Sequence, residues 1–239
     1  MRRYSLRVPA DQVEPALATM LDLFPDGVEQ EEDEGMVTLS GYAEQAPAEG
    51  LECEPVEEGW EDAWRAFHKP VTVAGLWVGP PWFEPQSGLE AIVIDPGRAF
   101  GTGAHGSTRA ALALLAELEP GPALDLGCGS GVLTIAALRL GFGPLRSYDI
   151  DPLAVQATRE NAARNGVAPA EVERRDVLVD PLPAAPLWLA NLEMHLHEAL
   201  LRRNDLPPLV VASGLLDSQT LGGERRVVAD GWAAELLVR

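Results

Sequence analysis

The chain is poor in cysteine and in long apolar runs, and each shortage excludes a class of protein. Cys53 and Cys128 are the only cysteines among 239 residues and form no Cys-x-x-Cys pair, so we expect neither a disulfide framework nor a thiolate metal site. No apolar run approaches the roughly 18 residues that span a bilayer, and residues 1–10 lack the apolar stretch of a signal peptide. We therefore expect a soluble, cytoplasmic protein without a membrane partner or a bound metal.

Basic side chains are also scarce: 18 Lys and Arg stand against 37 Asp and Glu, for a net charge of −19. A surface of that sign repels phosphate backbones, which makes nucleic acid a poor partner. Residues 1–64 hold 17 acidic side chains and only three basic ones. Such a segment suits a basic protein partner, although a charge run such as Glu29 to Glu34 is equally typical of a face that is merely solvated.

Apolar patterns predict a small α+β unit followed by a larger α/β domain. Alternation at Tyr4 to Val8 and at Met36 to Leu39 predicts strands, and helical spacing from Asp11 to Phe24 predicts a helix between them. The predicted domains are a small acidic unit at residues 1–55, a linker with a short helix carrying Trp60, Trp64 and Phe67 at residues 56–88, and the larger domain at residues 89–239.

In the larger domain, short apolar runs alternate with helical patterns, as strands and helices of a parallel sheet do. The predicted strands are residues 90–94, 123–126, 145–148, 187–190 and 209–213. The predicted helices between them are residues 108–118, 131–140, 152–165 and 193–203. The pattern predicts an open α/β sheet, whose ligands bind at the carboxyl ends of the strands.

A glycine-rich turn follows the strand at 123–126 and indicates a cofactor site. Gly127, Gly129 and Gly131 form G-x-G-x-G rather than the G-x-G-x-x-G/A of dinucleotide sites, and no Gly-Lys-Ser/Thr phosphate loop occurs. Asp125 precedes the turn, where a carboxylate repels a pyrophosphate but accepts hydrogen bonds from a ligand that carries an ammonium and a sulfonium. The pattern favours S-adenosylmethionine over NAD or ATP as the cofactor.

Further carboxylates stand farther along the chain, after the strand at 145–148 and after the third sheet position. Asp149 stands at the end of the strand at 145–148, where a carboxylate is placed to accept both hydroxyls of a cofactor ribose. Asp151 is better explained as the N-cap of a helix that starts at Pro152, and capping alone remains the alternative for Asp149. Asp176 is predicted to accept a hydrogen bond from the adenine amino group, or else to be an ordinary turn carboxylate.

A second glycine-rich loop runs into the helix at 108–118, and its N–H groups and hydroxyls are predicted to cover the methionine end of the cofactor. The residues assigned to this cover are Phe100, Gly101, Thr102, Gly103 and Thr108. The alternative is a helix start capped by Ser107. His105 in this loop is a candidate for assisting catalysis, although a structural or substrate-orienting role is the other interpretation.

Asn191 ends the strand at 187–190, and its carbonyl oxygen is available to an incoming amine or to the cofactor. The alternative is a cap of the helix at 193–203. The sequence Asn-Leu-Glu-Met that begins there differs from the Asn/Asp-Pro-Pro-Tyr associated with methylation of adenine or glutamine amides. Asn191 and His105 are the residues that we predict to take part in catalysis.

Together these segments resemble the PrmA family, the methyltransferases that modify protein eleven of the large ribosomal subunit. The resemblance is carried by residues 61–70, 94–108, 124–131, 148–152 and 190–192, of which the Phe-Gly-Thr-Gly-x-His loop is the specific part. It implies a Rossmann-like class I methyltransferase sheet behind a small ferredoxin-like domain that holds the substrate protein. It also implies cofactor contacts at Thr108, Gly127, Asp149 and Asn191.

The resemblance implies a protein N-methyltransferase that uses S-adenosylmethionine to modify lysine and α-amino groups of a basic ribosomal protein. Two alternatives stay open: a paralogue that acts on another protein or a small molecule, and a non-catalytic binding module. The carboxyl-terminal end departs from the family pattern, because only 26 residues follow residue 213. We place one helix near Ser218 to Ala229 and one strand near Ala233 to Val238, which leaves the seventh strand of the fold missing.

Overall fold

Two units of unequal size make up the chain, Met1–Ala66 and Phe67–Arg239. The structure, a computed structural model, describes residues 2–9, 12–24, 28–33, 35–43, 48, 50–55, 68–95 and 103–239. The predicted helix around Trp60, Trp64 and Phe67 lies outside the described residues, as do Phe100, Gly101 and Thr102 of the second glycine-rich loop.

The first unit is built on a four-stranded antiparallel sheet. Its described elements are β1 (Arg2–Pro9), α1 (Val13–Leu23), β2 (Glu29–Asp33), β3 (Met36–Ala43) and β4 (Glu52–Pro55). The strand order β2-β3-β1-β4 is that of a ferredoxin-like sheet. A cluster of Tyr4, Met20, Phe24, Val37 and Leu39 is buried between α1 and the sheet, which confirms the predicted strands and helix. The sequence pattern missed β2 and β4, because β2 contains no apolar residue and β4 is only four residues long, so pairing with β3 and β1 supports them rather than an apolar pattern.

The second unit begins with a small three-stranded sheet, ordered β5-β6-β7. Its strands are β5 (Val71–Val73), β6 (Leu76–Gly79) and β7 (Glu90–Val93). The predicted strand at 90–94 is thus present, but it pairs in parallel with β6 and not with the large sheet. Leu76, Val78 and Ile92 are buried in the core of the second unit, so this sheet shares the core of the larger one.

The large sheet has seven strands in the order β10-β9-β8-β11-β12-β14-β13. Its strands are β8 (Ala123–Leu126), β9 (Leu145–Asp149), β10 (Glu171–Arg174), β11 (Leu187–Asn191), β12 (Leu209–Leu216), β13 (Arg225–Ala229) and β14 (Trp232–Val238). The helices of this unit are α2 (Gly106–Leu115), α3 (Val132–Arg139), α4 (Pro152–Arg164) and α5 (Met194–Leu200). Strands β8 to β12 run parallel to one another, whereas β14 is antiparallel to both β12 and β13.

Buried clusters on both faces of the sheet explain the apolar strand sequences. Every residue of β8 is buried, and so are the first four residues of β11, because these central strands have side chains packed on both sides. One cluster includes Leu112, Ile135 and Leu189, and the other includes Tyr148, Trp188 and Leu200. The predicted strands at 123–126, 145–148, 187–190 and 209–213 are confirmed, whereas β10, an edge strand with three charged residues, was not predicted.

The predicted helix near Ser218 to Ala229 is wrong, because residues 225–229 form a strand, whereas the predicted strand near Ala233 to Val238 is confirmed as part of β14. Strand β13 pairs with β14 through a two-residue turn, with Ala229 opposite Trp232. The turn residues Asp230 and Gly231 have φ angles of 48° and 77°, as a type I′ hairpin requires. The seventh strand is therefore present, and the Asp-Gly pair was the sequence signal that the helical interpretation overlooked.

No helix in the part of the chain that the structure describes is long and apolar enough to cross a membrane.

Candidate cofactor site

A cavity of about 370 Å³ lies where β8, β9 and β11 end. This is the switch point of the sheet, since the chain places β9 on one side of β8 and β11 on the other. The volume falls within the roughly 300–1,000 Å³ of small-molecule sites. The lining residues are Asp125, Gly127, Cys128, Gly129, Val132, Leu133, Asp149, Ile150, Arg175, Asp176, Val177, Leu178, Asn191, Leu192 and Leu196.

The first glycine turn forms one wall of this cavity. The N–H groups of Gly127 and Cys128 both donate to the carbonyl oxygen of Tyr148, at 2.8 and 3.1 Å, which joins the turn to the end of β9. Gly127 has a φ of 77°, and a Cβ there would lie 2.7 Å from Cδ2 of Leu192. Glycine is therefore required both by the backbone conformation and by the approach of a cavity wall.

Asp149 is held at the cavity by the glycine turn itself. Its Oδ2 accepts the N–H of Gly129 at 2.9 Å, and its Oδ1 accepts the N–H of Asp151 at 3.0 Å. Each carboxylate oxygen has a further lone pair, so a fixed pair of acceptors is available to two neighbouring hydroxyls. Asp151 caps α4 by accepting the N–H of Leu153 at 2.8 Å. The structure thus separates the two aspartates into a cavity residue and a helix cap.

Asp125 is a buried carboxylate that has no basic partner among the described residues. Thr134 donates its hydroxyl to Oδ2 of Asp125 at 2.6 Å, and Oγ of Ser147 lies 2.7 Å from the same threonine oxygen. The pKa of Asp125 is raised to about 7: burial is the main cause, the Thr134 hydrogen bond opposes it, and the nearby Asp149 charge adds to it. A carboxylate in this state is poised to gain from a cationic ligand in the cavity.

Asn191 and Thr108 are brought together from distant parts of the sequence. Asn191 ends β11 and lines the cavity, and its Nδ2 donates to Oγ1 of Thr108 at 3.4 Å. Thr108 is fully buried in the first turn of α2 and is not among the lining residues of the described part of the chain. Its contact with the cavity therefore passes through Asn191.

Asp176 lines the cavity but is also engaged in a turn. Its Oδ1 accepts the N–H of Leu178 at 3.0 Å, and its own N–H donates to Oδ2 of Asp180 at 2.8 Å. These hydrogen bonds agree with the alternative, an ordinary turn carboxylate. They occupy only Oδ1 of the Asp176 carboxylate, so an adenine contact at Asp176 stays a prediction.

His105 is the N-cap of α2, with Nδ1 at 2.8 Å from Oγ of Ser107 and the ring centroid 4.5 Å from that of Trp232. Burial lowers the pKa of His105, and the neighbouring Arg109 lowers it further, so the imidazole is neutral near pH 7. Neither His105 nor Gly103 belongs to the cavity lining in the described residues. The catalytic role of His105 and the cofactor contact of Gly103 therefore stay predictions.

Sequence reasoning missed the apolar walls of the cavity. Leu192 and Leu196 form one side, and Ile150, between the two aspartates, is 58% exposed beside the other. The signal for Ile150 was available, because a large apolar residue is unusual in a polar turn after a strand. Arg175 also lines the cavity and stacks on the Tyr148 ring, 4.6 Å from its centroid. No local pattern marked Leu192, Leu196 or Arg175, since only the folded sheet brings them to the cavity.

Three features define a class I methyltransferase that uses S-adenosylmethionine. They are the seven-stranded sheet with one antiparallel strand inserted near its edge, the glycine turn after β8, and the carboxylate of Asp149 at the end of the adjacent strand β9. Comparison with known sequences makes this assignment specific. The chain belongs to the family described as ribosomal protein L11 methyltransferase (PrmA), whose profile matches residues 17–234.

Individual relatives support the family assignment. A ribosomal protein L11 methyltransferase of Thermus thermophilus is 39% identical over 202 residues, which are 84% of this chain and 79% of that protein. A protein of the same name from Chromohalobacter salexigens is 43% identical over 145 residues, 55% of this chain and 48% of the relative. The chain therefore spans most of one relative and about half of the other. The crystal structure of a ribosomal protein L11 methylase from Lactobacillus delbrueckii subsp. bulgaricus superposes with a TM-score of 0.65 at 26% identity, covering 72% of this chain and 99% of that one.

S-adenosylmethionine, the cofactor of this family, fits the residues present. The Gly127 turn lines the cavity with backbone alone, and Asp149 offers two oriented acceptors beside it. Asp125 adds a buried carboxylate, which suits the ammonium and sulfonium groups of the cofactor better than a pyrophosphate. The hydrogen-bond acceptors of the cavity and its size therefore agree with the family assignment.

Proposed function

We propose that the chain transfers methyl groups from S-adenosylmethionine to lysine and α-amino groups of ribosomal protein L11, a basic ribosomal protein. The observation that carries the proposal is the fixed carboxylate of Asp149 in the same cavity as the amide of Asn191. The Thermus and Chromohalobacter relatives are named for action on this protein. A cytoplasmic enzyme without a nucleic-acid partner agrees with the substrate and with the net charge of −19.

The residues of the cavity divide between holding the cofactor and aligning the acceptor. Asp149 would hold the ribose hydroxyls, Asp176 would accept a hydrogen bond from the adenine amino group, and Asp125 with the glycine turn would hold the methionine end. When bound, S-adenosylmethionine supplies a methyl group on a positively charged sulfur, and this chemistry belongs to the cofactor. The protein contributes the surroundings in which that methyl group meets an amine.

Asn191 is the residue that we assign to the acceptor. Its Nδ2 is directed to Thr108, so the amide orientation is set and the carbonyl Oδ1 is available to a donor N–H. A neutral amine that donates to Oδ1 is held in line for transfer, and such alignment contributes about 7–11 kcal/mol in favourable cases. No general base is required of His105 in this scheme, and orienting the substrate is the role we propose for it.

The first unit is proposed to hold the substrate protein. The 17 acidic side chains in residues 1–64 are opposite in charge to a basic substrate protein, so electrostatic attraction steers encounter and raises the association rate. The proposed boundaries are the acidic unit at residues 1–55, the linker at 56–88 and the cofactor-binding domain at 89–239. The division of the fold into Met1–Ala66 and Phe67–Arg239 supports a separate role for the first unit.

The test is transfer of isotope-labelled methyl groups from S-adenosylmethionine to unmethylated ribosomal proteins, with the products located by mass spectrometry. The proposal expects label on amino groups of protein L11, loss of label with Asp149→Ala, and loss of label without loss of cofactor binding when residues 1–55 are deleted. Label on a different protein or on a small molecule would assign the chain to a paralogue. Binding of protein L11 without any transfer would identify a binding module and contradict the proposal.

A further inference from the structure

The backbone behind Asn191 has an unusual shape. The pairing of β12 with β14 shifts register between Ser213 and Leu215, so Gly214 forms a bulge. Gly214 has a φ of 88°, and a Cβ there would lie 2.4 Å from the carbonyl oxygen of Leu192 and 3.0 Å from Oδ1 of Asn191. The bulge therefore makes the space in which the end of β11 and the Asn191 side chain sit.

A buried histidine fixes the same segment from the other side. His197 lies in α5 with no exposed surface, and its Nε2 is 2.8 Å from the carbonyl oxygen of Ser213. That carbonyl also accepts the N–H of Leu192 at 3.0 Å. Because a carbonyl only accepts, the proton of the neutral imidazole is on Nε2. One carbonyl oxygen thus joins β12, the residue after Asn191 and the helix that follows it.

We propose that His197 and Gly214 are positioning residues that set the orientation of the Asn191 side chain. This inference rests on the proposed function, because it gives Asn191 the acceptor-aligning role. Two features of different kinds, a donor on α5 and a bulge in β12, converge on Asn191 and Leu192. Both of these residues line the cavity, so a shift of the segment changes the cavity directly. Neither His197 nor Gly214 lines the cavity in the described part of the chain, and each acts through Asn191.

Gly214→Ala tests the proposal, with Gly222→Ala as its matched control. Gly222 has a φ of 78° and no atom within 4 Å of an added Cβ, so the control shares the backbone strain but not the contact with Asn191. We expect Gly214→Ala to shift the Asn191 side-chain amide resonance in ¹H–¹⁵N NMR spectra of the cofactor-free protein, and Gly222→Ala to leave it in place. We expect turnover on protein L11 to fall about 10- to 100-fold with Gly214→Ala, as a misplacement near 1 Å produces.

A double-mutant cycle separates positioning from general damage to the fold. If Gly214 acts through Asn191, then Gly214→Ala causes no further loss of turnover in a protein that already carries Asn191→Ala. At the histidine, His197→Gln keeps a side-chain N–H donor and should retain the Asn191 resonance, whereas His197→Leu removes the donor and should shift it. Affinity for S-adenosylhomocysteine, measured by calorimetry, reports whether each variant still forms the cavity.

Two results would overturn the inference: an unmoved Asn191 resonance in Gly214→Ala, or an equal loss of turnover from Gly214→Ala with and without Asn191→Ala. Failure of the proposed function gives a different pattern. In that case the NMR shifts occur as described, but the unaltered protein transfers no methyl group to protein L11. His197 and Gly214 would then position Asn191 for an acceptor other than protein L11.

Discussion

Asp125→Asn should make the protein more stable at pH 8 while weakening cofactor binding. The side chain is 1% exposed and its hydrogen-bond donor is Thr134. Asparagine keeps that bond through its own carbonyl oxygen. What the substitution removes is the charge, and the buried charge is what makes Asp125 unfavourable to the fold.

The magnitude follows from the pKa. A rise from the ordinary 3.8 to about 7, at about 1.36 kcal/mol per pH unit, makes the ionised form cost up to about 4 kcal/mol above pH 7. Because the pKa of the folded state is raised, the folded state holds more protons than the unfolded state between these values. Stability from this group is therefore present at low pH and lost as the pH rises through about 7. Between pH 5 and pH 8 the difference between the two proteins should grow by about 2–3 kcal/mol.

The assay is urea denaturation followed by tryptophan fluorescence at pH 5, 6, 7 and 8. Asp151→Asn is the control, because Asp151 is exposed and asparagine caps a helix as well as aspartate does. We expect Asp125→Asn to gain stability relative to the unaltered protein as the pH rises, and Asp151→Asn to show no such trend. Parallel stability curves for Asp125→Asn and the unaltered protein across this pH range would refute the reasoning.

Three further predictions concern the cavity and its support. Asp149→Ala leaves the N–H of Gly129 without its acceptor and should weaken S-adenosylmethionine binding about 10- to 100-fold, as calorimetry would measure. The magnitude follows from the loss of about 1.5–3 kcal/mol per hydrogen bond to a charged group. Unchanged affinity would show that Asp149 does not belong to the site. Gly127→Ala places a Cβ 2.7 Å from Leu192 at a φ of 77° and should lower both the melting temperature and the cofactor affinity; an unaffected protein would show that the turn relaxes freely. Burial lowers the pKa of His197 below its ordinary 6.5, so the unfolded state gains a proton first as the pH falls. The free energy of unfolding should therefore decrease as the pH drops below 6.5, which urea denaturation at pH 5 to 7 measures. An equal decrease in His197→Gln would contradict this prediction.

The central strands and the glycine turn were predictable because their information is local. The continuous apolar runs of β8 and β11 result from burial on both faces, and the spacing of Gly127, Gly129 and Gly131 is visible without a fold. Asp149 followed from its place after the next strand. These residues define the cofactor end of the site.

The rest depends on pairing and packing that a linear pattern does not contain. Strand β13 has two arginines followed by three apolar residues and was taken for a helix, because its sequence does not alternate and only its pairing with β14 across Asp230 and Gly231 supports a strand. The contact of Asn191 with Thr108 joins positions 83 residues apart. Leu192 and Ile150 become cavity walls only when the ends of β11 and β9 meet.

The most direct test of the central claim is calorimetric titration of the purified protein with S-adenosylmethionine and, separately, with NAD. The structure predicts one S-adenosylmethionine per chain, weakened by Asp149→Ala but not by Asp151→Asn, and no heat of binding with NAD. Binding of NAD, or S-adenosylmethionine affinity indifferent to Asp149→Ala, would contradict the assignment of the cavity.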